Sequence, residues 1–399
     1  MFSFNLATYM NPFMSISIAL IVGILFGQLV NKFKIPAVAG YIIAGLIIGI
    51  SGLKIIDDNM IETVSFISDF ALGIVAFNIG SELKFSKVKK LGKSIFTIAL
   101  FEAFGAFLLV SLSTYFLIRD IGIAIILGAV SSATAPAATV MVLKEYKSKG
   151  DLTSTLLGVV AVDDGICLII YALASSIAKV FILNEHITAY KVVFHPVIEI
   201  VFSIVSGGLL GIMLSFFMSK AKKNSEILSF CIGFIILCVG IALKFKLSPL
   251  LCAMSLGILV ANVSNKSRIV FDGLEKFSPP VIGVFFVMAG SRLDISLLPK
   301  IGTIGVFYLV FRIIGKVFGA SFGARLSKSP ENVKKYIGYG LLSQVGVAVG
   351  LAIIVSKEFA GTDLGSMVIT ILLATTIITE IIGPIATKTV ILKSGEAKN

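Results

Sequence analysis

The chain has 399 residues, 57% of them hydrophobic and only 14% charged, with a mean hydropathy of +1.03 and a formal charge of +12. Soluble globular chains carry about a quarter charged residues, so this composition excludes a soluble enzyme or binding module and marks an all-α polytopic membrane protein. The lysine surplus sits between apolar runs with no basic groove interleaved by aromatics, which is loop charge and not the footprint of a nucleic-acid partner.

The amino end has no basic stretch followed by a small-residue cleavage site, so no cleaved signal peptide is expected. Apolar runs then give thirteen candidate spans, at about 12–31, 36–52, 60–80, 92–118, 121–143, 151–181, 194–218, 226–243, 248–262, 279–291, 301–325, 332–356 and 363–388. Alternate loops carry 23 lysines and arginines on one side and 9 on the other. This bias predicts an outside amino terminus and a cytoplasmic carboxyl terminus in a multi-pass protein of the cell membrane. Thirteen spans divide as six, one and six, so residues 1–193 and 226–399 are expected to form inverted six-helix repeats joined by a linker helix at 194–225.

Glu102 is the intramembrane carboxylate of span four. In span five the run Gly128-Ala-Val-Ser131-Ser132-Ala-Thr134-Ala-Pro136 invites unwinding, because proline removes a donor and clashes with the preceding turn. Thr134 and Ser132 are its best neutral oxygens for a small hard cation. Span six centres on Asp163-Asp164, roughly 18–20 Å from Gly150 at helical rise and so close to the bilayer midplane. Two adjacent buried carboxylates destabilise the doubly ionised form through desolvation and repulsion. Something must protonate them, pair them or bind a cation between them. Successive helical residues point about 100° apart, so one aspartate is expected to face a cavity and the other a neighbouring helix.

His186 and His195 flank an external loop and read as surface histidines. Cys167, Cys231, Cys238 and Cys252 all fall in apolar runs and read as small buried hydrophobes. Arg312 and Lys316 lie one turn apart on span eleven; the reading pairs Glu102 with Arg312 as a brace and leaves Lys316 near the aspartates or capping a broken helix. Span twelve, with Gly338, Gly340, Ser343, Gln344, Gly346 and Gly350, is the fifth of its half, matching span five, and is the second candidate for mid-membrane unwinding. Glu380 is expected to make a helix-end contact near the end of span thirteen.

Taken together, Phe77-Asn-Ile-Gly-Ser-Glu-Leu83, Ser131-Ser-Ala-Thr-Ala-Pro136, Ala161-Val-Asp-Asp-Gly165, Phe285-Phe-Val-Met-Ala-Gly290, Arg312-Ile-Ile-Gly-Lys316 and Ser343-Gln-Val-Gly346 resemble the second branch of the cation:proton antiporter superfamily. That branch includes NapA-type sodium/proton antiporters and the membrane parts of glutathione-gated potassium efflux systems. The resemblance implies a thirteen-helix homodimer in which a core domain, with two crossed discontinuous helices at Pro136 and at Ser343-Gln344, shifts like an elevator against a dimerisation domain. It implies Asp164 as the residue that binds sodium, Asp163 as its partner, Thr134 in the unwound crossing, Glu102 with Arg312 as a brace, and Lys316 as a lysine that alternates as partner of the first aspartate. Many relatives have Thr-Asp-Pro where this chain has Thr134-Ala135-Pro136, so no carboxylate acts there. The sequence ends about a dozen residues after the last span, so no cytoplasmic nucleotide-binding domain is expected.

The expected activity is exchange of sodium, with lithium or potassium as alternatives, for protons, with no cofactor and no enzymatic step. A channel would need a ring of carbonyls or charges, and an intramembrane aspartyl protease would need facing aspartates on different helices. A sodium-coupled organic-anion symporter of similar architecture is the remaining rival.

Overall fold

The computed structural model describes residues 11–32, 37–56, 58–83, 85–182, 195–293 and 295–397, and among them there is no strand. The helices are α1 (Pro12–Asn31), α2 (Ala37–Ile48), α3 (Asp58–Thr63), α4 (Ser65–Glu82), α5 (Phe85–Ile118), α6 (Ile121–Ser131), α7 (Pro136–Glu145) and α8 (Asp151–Ile182) in the first half. They continue with α9 (His195–Lys220), α10 (Asn224–Lys244), α11 (Pro249–Val263), α12 (Ser267–Ser291), α13 (Leu298–Leu326), α14 (Glu331–Tyr336), α15 (Gly346–Glu358) and α16 (Asp363–Ser394). A 3₁₀ turn, Ile337–Leu341, follows α14. Each apolar run of the sequence is largely helical among the described residues. Among the described residues seven helices are long and apolar enough to cross a bilayer alone, and the α14 segment with α15 makes an eighth as a pair bent by 46°. The helices on the remaining runs are shorter or more charged.

Two helices break where the sequence weakens them. At the end of α6 the hydroxyls of Ser131 and Ser132 turn back onto the carbonyls of Gly128 and Ala129, each at 2.6 Å, competing with the next helical turn, and Pro136 opens α7 without needing a donor. The second break runs through 342–345, between the 3₁₀ turn and α15. The breaks meet: Ala135 N donates to Ser343 O at 2.9 Å, and Thr139 Oγ1 to Gly340 O at 2.8 Å.

Packing divides the chain into two groups. α5, α6, α7, α8, α13, α14, α15 and α16 pack mainly on one another, as do α1, α2, α4, α9, α10, α11 and α12. Between the groups contact is sparse, chiefly α8 against α4, α9 and α11. At one end of this seam Lys357 of α15 pairs with Asp69 of α4 at 2.5 Å. Inside the first group α5 and α13 touch backbone to backbone. A Cβ on Gly105 would stand 2.5 Å from Gly315 O, and one on Gly319 2.2 Å from Phe101 O. Close approach through small residues is the usual route to helix association in lipid, where there is little hydrophobic drive.

The start of α8 is held by the tail after α16. Glu396, 7% exposed, accepts from Leu152 N at 2.8 Å, Thr153 N at 2.8 Å, Thr153 Oγ1 at 2.7 Å and Asn332 Nδ2 at 2.9 Å. Its carboxylate satisfies two of the four donors that every helix leaves open at its N-terminus. Gly150 leaves the room: a Cβ there would lie 2.3 Å from the Glu396 carboxyl carbon. Glu396→Ala is expected to cost about 1–3 kcal/mol, through unsatisfied buried donors, and Glu396→Gln less; the thermal unfolding midpoints of the two variants in detergent check the order.

Candidate functional site

Four helices bring charge to one region, and a helix break adds neutral oxygens. α5 carries Glu102, α8 carries Asp163 and Asp164, α13 carries Arg312 and Lys316, α16 carries Glu380, and the break between α6 and α7 supplies Ser132 and Thr134. Glu102, Asp163, Arg312 and Lys316 are fully buried, and Asp164 and Glu380 are 4% and 2% exposed.

Lys316 fills all three of its donor positions. It donates to Glu102 Oε1, to Ser132 O at 2.9 Å and to Thr134 Oγ1 at 2.8 Å, and it stands 3.9 Å from Asp163 Oδ2. Thr134 Oγ1 in turn donates to Asp163 Oδ2. A chain therefore runs from Glu102 through the ammonium and the threonine hydroxyl to the first aspartate.

Arg312 does not pair with Glu102. Its Nε donates to Ser131 O at 3.1 Å, Nη1 to Leu342 O at 2.7 Å, and Nη2 to Ala133 O at 2.8 Å and Ser343 O at 3.3 Å. The guanidinium thus bridges carbonyls from both breaks, at the negative ends of two interrupted helices. This corrects the expected Glu102–Arg312 brace: the ion pair is Glu102–Lys316. The register of α5 on α13 decides it, since a Cβ on Gly319 would lie 3.1 Å from Glu102 Cα, which sets Glu102 about one turn of α13 from Lys316 and two from Arg312. The broken helices also offer acceptors that suit Arg312, whose planar fork reaches several carbonyls where an ammonium reaches one point.

The two aspartates take different surroundings. Asp163 faces Thr134 and Lys316. Asp164 lies in the field of both Asp163 and Lys316, and a Cβ on its neighbour Gly165 would stand 3.5 Å from Leu83 of the second helix group, so this part of α8 borders the seam. Several buried oxygens find no hydrogen-bond partner among the described residues: Asp163 Oδ1, Asp164 Oδ1, Glu102 Oε2, Ser343 Oγ, Gln344 Oε1 and Glu380 Oε1. Buried acceptors normally have partners, and acceptors without donors are what a small cation or a proton satisfies.

Gln344 Nε2 donates to Val130 O at 3.0 Å and to Tyr308 Oη at 2.8 Å. Tyr308 was not singled out in the sequence, although it is one turn before Arg312 on the Tyr308, Arg312, Lys316 face. Glu380 is the second correction. It sits in the middle of α16 and not at a helix end, it lies within the field of Arg312, and the run to Ser394 carries the helix well past it. Pro136 opens α7. His186 lies outside the described residues, and His195 opens α9. The four cysteines are free and buried.

The family profile described as sodium/hydrogen exchanger, transmembrane, matches residues 16–392. The Na(+)/H(+) antiporter of Enterococcus hirae is 26% identical over 328 residues, covering 80% of this chain and 83% of its own. The Na(+)/H(+)-K(+) antiporter GerN of Bacillus cereus is 25% identical over 382 residues, covering 92% and 94%. Among solved structures, the sodium proton antiporter MjNhaP1 from Methanocaldococcus jannaschii at pH 8 superposes with a TM-score of 0.79 at 17% identity, over 96% of this chain and 98% of that one; it has the same fold.

Proposed function

The chain belongs to the transmembrane sodium/hydrogen exchanger family, and from that premise we propose that it exchanges a monovalent cation, sodium first and lithium with it, for protons. The observation that carries this reading is the pair of buried aspartates on α8 beside two crossing helix breaks, with buried oxygens on these elements that find no partner among the described residues. Asp164 is the carrier. It holds a proton or a cation by turns, with the free oxygen of Asp163 and the oxygens of Ser132 and Thr134 as further ligands. Thr134 already accepts from Lys316 and donates to Asp163, which leaves it one lone pair for a cation.

Arg312 ties the two breaks together at fixed charge. Lys316 offsets Glu102 and stands 3.9 Å from Asp163, where an arriving cation competes with it for the carboxylate oxygens. A bare carboxylate is costly to carry through a hydrocarbon barrier, so only the cation-loaded or protonated site crosses, and this couples the two flows. The sparse seam supports an elevator movement, in which the group holding the site slides against the other in a homodimer of thirteen-crossing chains. The inverted repeats are residues 1–193 and 226–399, with 194–225 between them, and the amino terminus is outside.

The test is cation-induced collapse of an imposed pH gradient in proteoliposomes, with sodium, lithium and potassium in separate arms, with and without a potential clamp. Collapse driven by sodium supports the reading, and its response to the clamp separates two protons per cation from one. Net movement of charge would draw about 2.3 kcal/mol per 100 mV. Collapse with potassium alone makes the chain a potassium/proton antiporter, and no proton movement with any alkali cation sinks the exchange reading in favour of an organic-anion symporter.

A further inference from the structure

We propose that the groove between α5 and α13 is a binding site for an anionic phospholipid of the leaflet on the lysine-rich side of the protein. The groove has a volume of about 870 Å³, in the range of pockets that hold whole ligands. It lies on the outer side of the helix group that carries the charged site. Phe104 and Leu108 on α5 and Phe318 and Phe322 on α13 form its walls, and they are 41%, 51%, 70% and 55% exposed. Gly105, Gly315 and Gly319 make its floor. The glycines that let the two backbones touch also leave a bare channel outside the contact, wide enough for acyl chains.

One end of this apolar channel is cationic. Arg325, in the last turn of α13, and Lys334 and Lys335, in the last turn of α14, line the groove with Tyr339. Glu331 takes Lys334 at 2.7 Å, and Lys335 lies 5.3 Å over the ring of Tyr336, so three cations face one carboxylate. A surplus of positive charge at the mouth of an apolar channel complements a molecule with two apolar tails and one net negative phosphate. A zwitterionic headgroup brings its own cation to the same place and gains less. Arg325 presents a fork matched to phosphate oxygens, and the lysines add point charges.

The occupant would bear on the transport site through two segments. α13 holds Arg312 and Lys316 away from the groove, and Tyr339 belongs to the turn that leads into the break at 342–345. Binding itself requires only that the chain lie in a bilayer; its effect on exchange rests on the function proposed above.

The experiment uses the full chain in nanodiscs of phosphatidylcholine doped with phosphatidylglycerol, with lipid retained after detergent extraction counted by native mass spectrometry. Wild type is expected to retain phosphatidylglycerol over phosphatidylcholine. The variant Arg325→Gln/Lys334→Gln/Lys335→Gln is expected to lose that preference by roughly tenfold or more, since each surface cation is worth several-fold toward anionic lipid. Arg268→Gln/Lys276→Gln, which removes two cations from α12 in the other helix group, is expected to retain it. If the triple variant does not fold, Arg325→Gln alone is read by the upward shift in unfolding temperature on adding phosphatidylglycerol, expected in wild type and diminished in the variant. Equal retention by wild type and variant, or no preference in wild type, overturns the proposal. Retention that holds while exchange fails leaves the lipid site standing and the exchange reading fallen.

Discussion

Asp164→Asn abolishes cation-driven collapse of a pH gradient and leaves the protein folded. The amide keeps the size of the side chain and removes its charge, so the site neither titrates nor draws a cation with a full carboxylate. Losing about 3 kcal/mol of attraction corresponds to roughly a hundredfold in affinity, and without a titrating group there is no proton to exchange at any cation concentration. Stability is expected to hold or rise, because the substitution removes one of two adjacent buried carboxylates whose mutual repulsion and desolvation oppose folding. The proteoliposome assay and a thermal unfolding curve read the two halves of this expectation. A variant that still exchanges at the wild-type rate would move the carrier role to another carboxylate, with Asp163 and Glu380 the next to replace.

The second large effect falls on stability. Lys316→Met strands Glu102 and takes the ammonium from beside Asp163, in a place where neither can reach water. Breaking a buried pair by removing one partner costs about 3–5 kcal/mol, and the chain is expected to unfold at a markedly lower temperature or fail to accumulate. Glu102→Gln costs less, because the amide oxygen still accepts from Lys316. The double variant Lys316→Met/Glu102→Gln is expected to be more stable than Lys316→Met alone, since the stranded charge is gone. Arg312→Met is the informative companion. If Arg312 were the partner of Glu102, that variant and not Lys316→Met would be rescued by Glu102→Gln. Equal unfolding midpoints for Lys316→Met and wild type would remove the ion pair from the account of the fold.

The sequence carried the helices and the breaks plainly, because both rest on local chemistry: apolar length for the first, and serine, proline and glycine clusters for the second. The position of Asp163-Asp164 was legible for the same reason, as a charge has few explanations in the middle of an apolar run. Partner choice was not legible. Arg312 and Lys316 share a face, and which of them meets Glu102 depends on the register of α5 on α13, which is set by Gly105, Gly315 and Gly319 touching backbone. The acceptors that claim Arg312 exist only because two helices break, so they appear in no count of side chains. The apolar run around Glu380 gives way to lysines soon after it, which suggests a helix end, whereas α16 continues to Ser394. The Glu396 contact with α8 spans 243 and 244 residues, and nothing in either segment announces it.

The bond between Arg312 and the first break has a consequence for how the protein is made. The carbonyls of Ser131 and Ala133 are satisfied by a side chain 181 and 179 residues later in the chain. A membrane protein is delivered to the bilayer from its amino end, so α6 and α7 arrive long before α13 exists. Until then the carbonyls of Ser131 and Ala133 lack the guanidinium that satisfies them in the folded chain, and an open acceptor left in hydrocarbon costs several kcal/mol. The early segment must therefore wait, either as an unbroken helix across the same residues or sheltered by the insertion machinery, and the crossed arrangement is assembled only once Arg312 is delivered. The first break is therefore completed by a residue that lies far downstream in the chain.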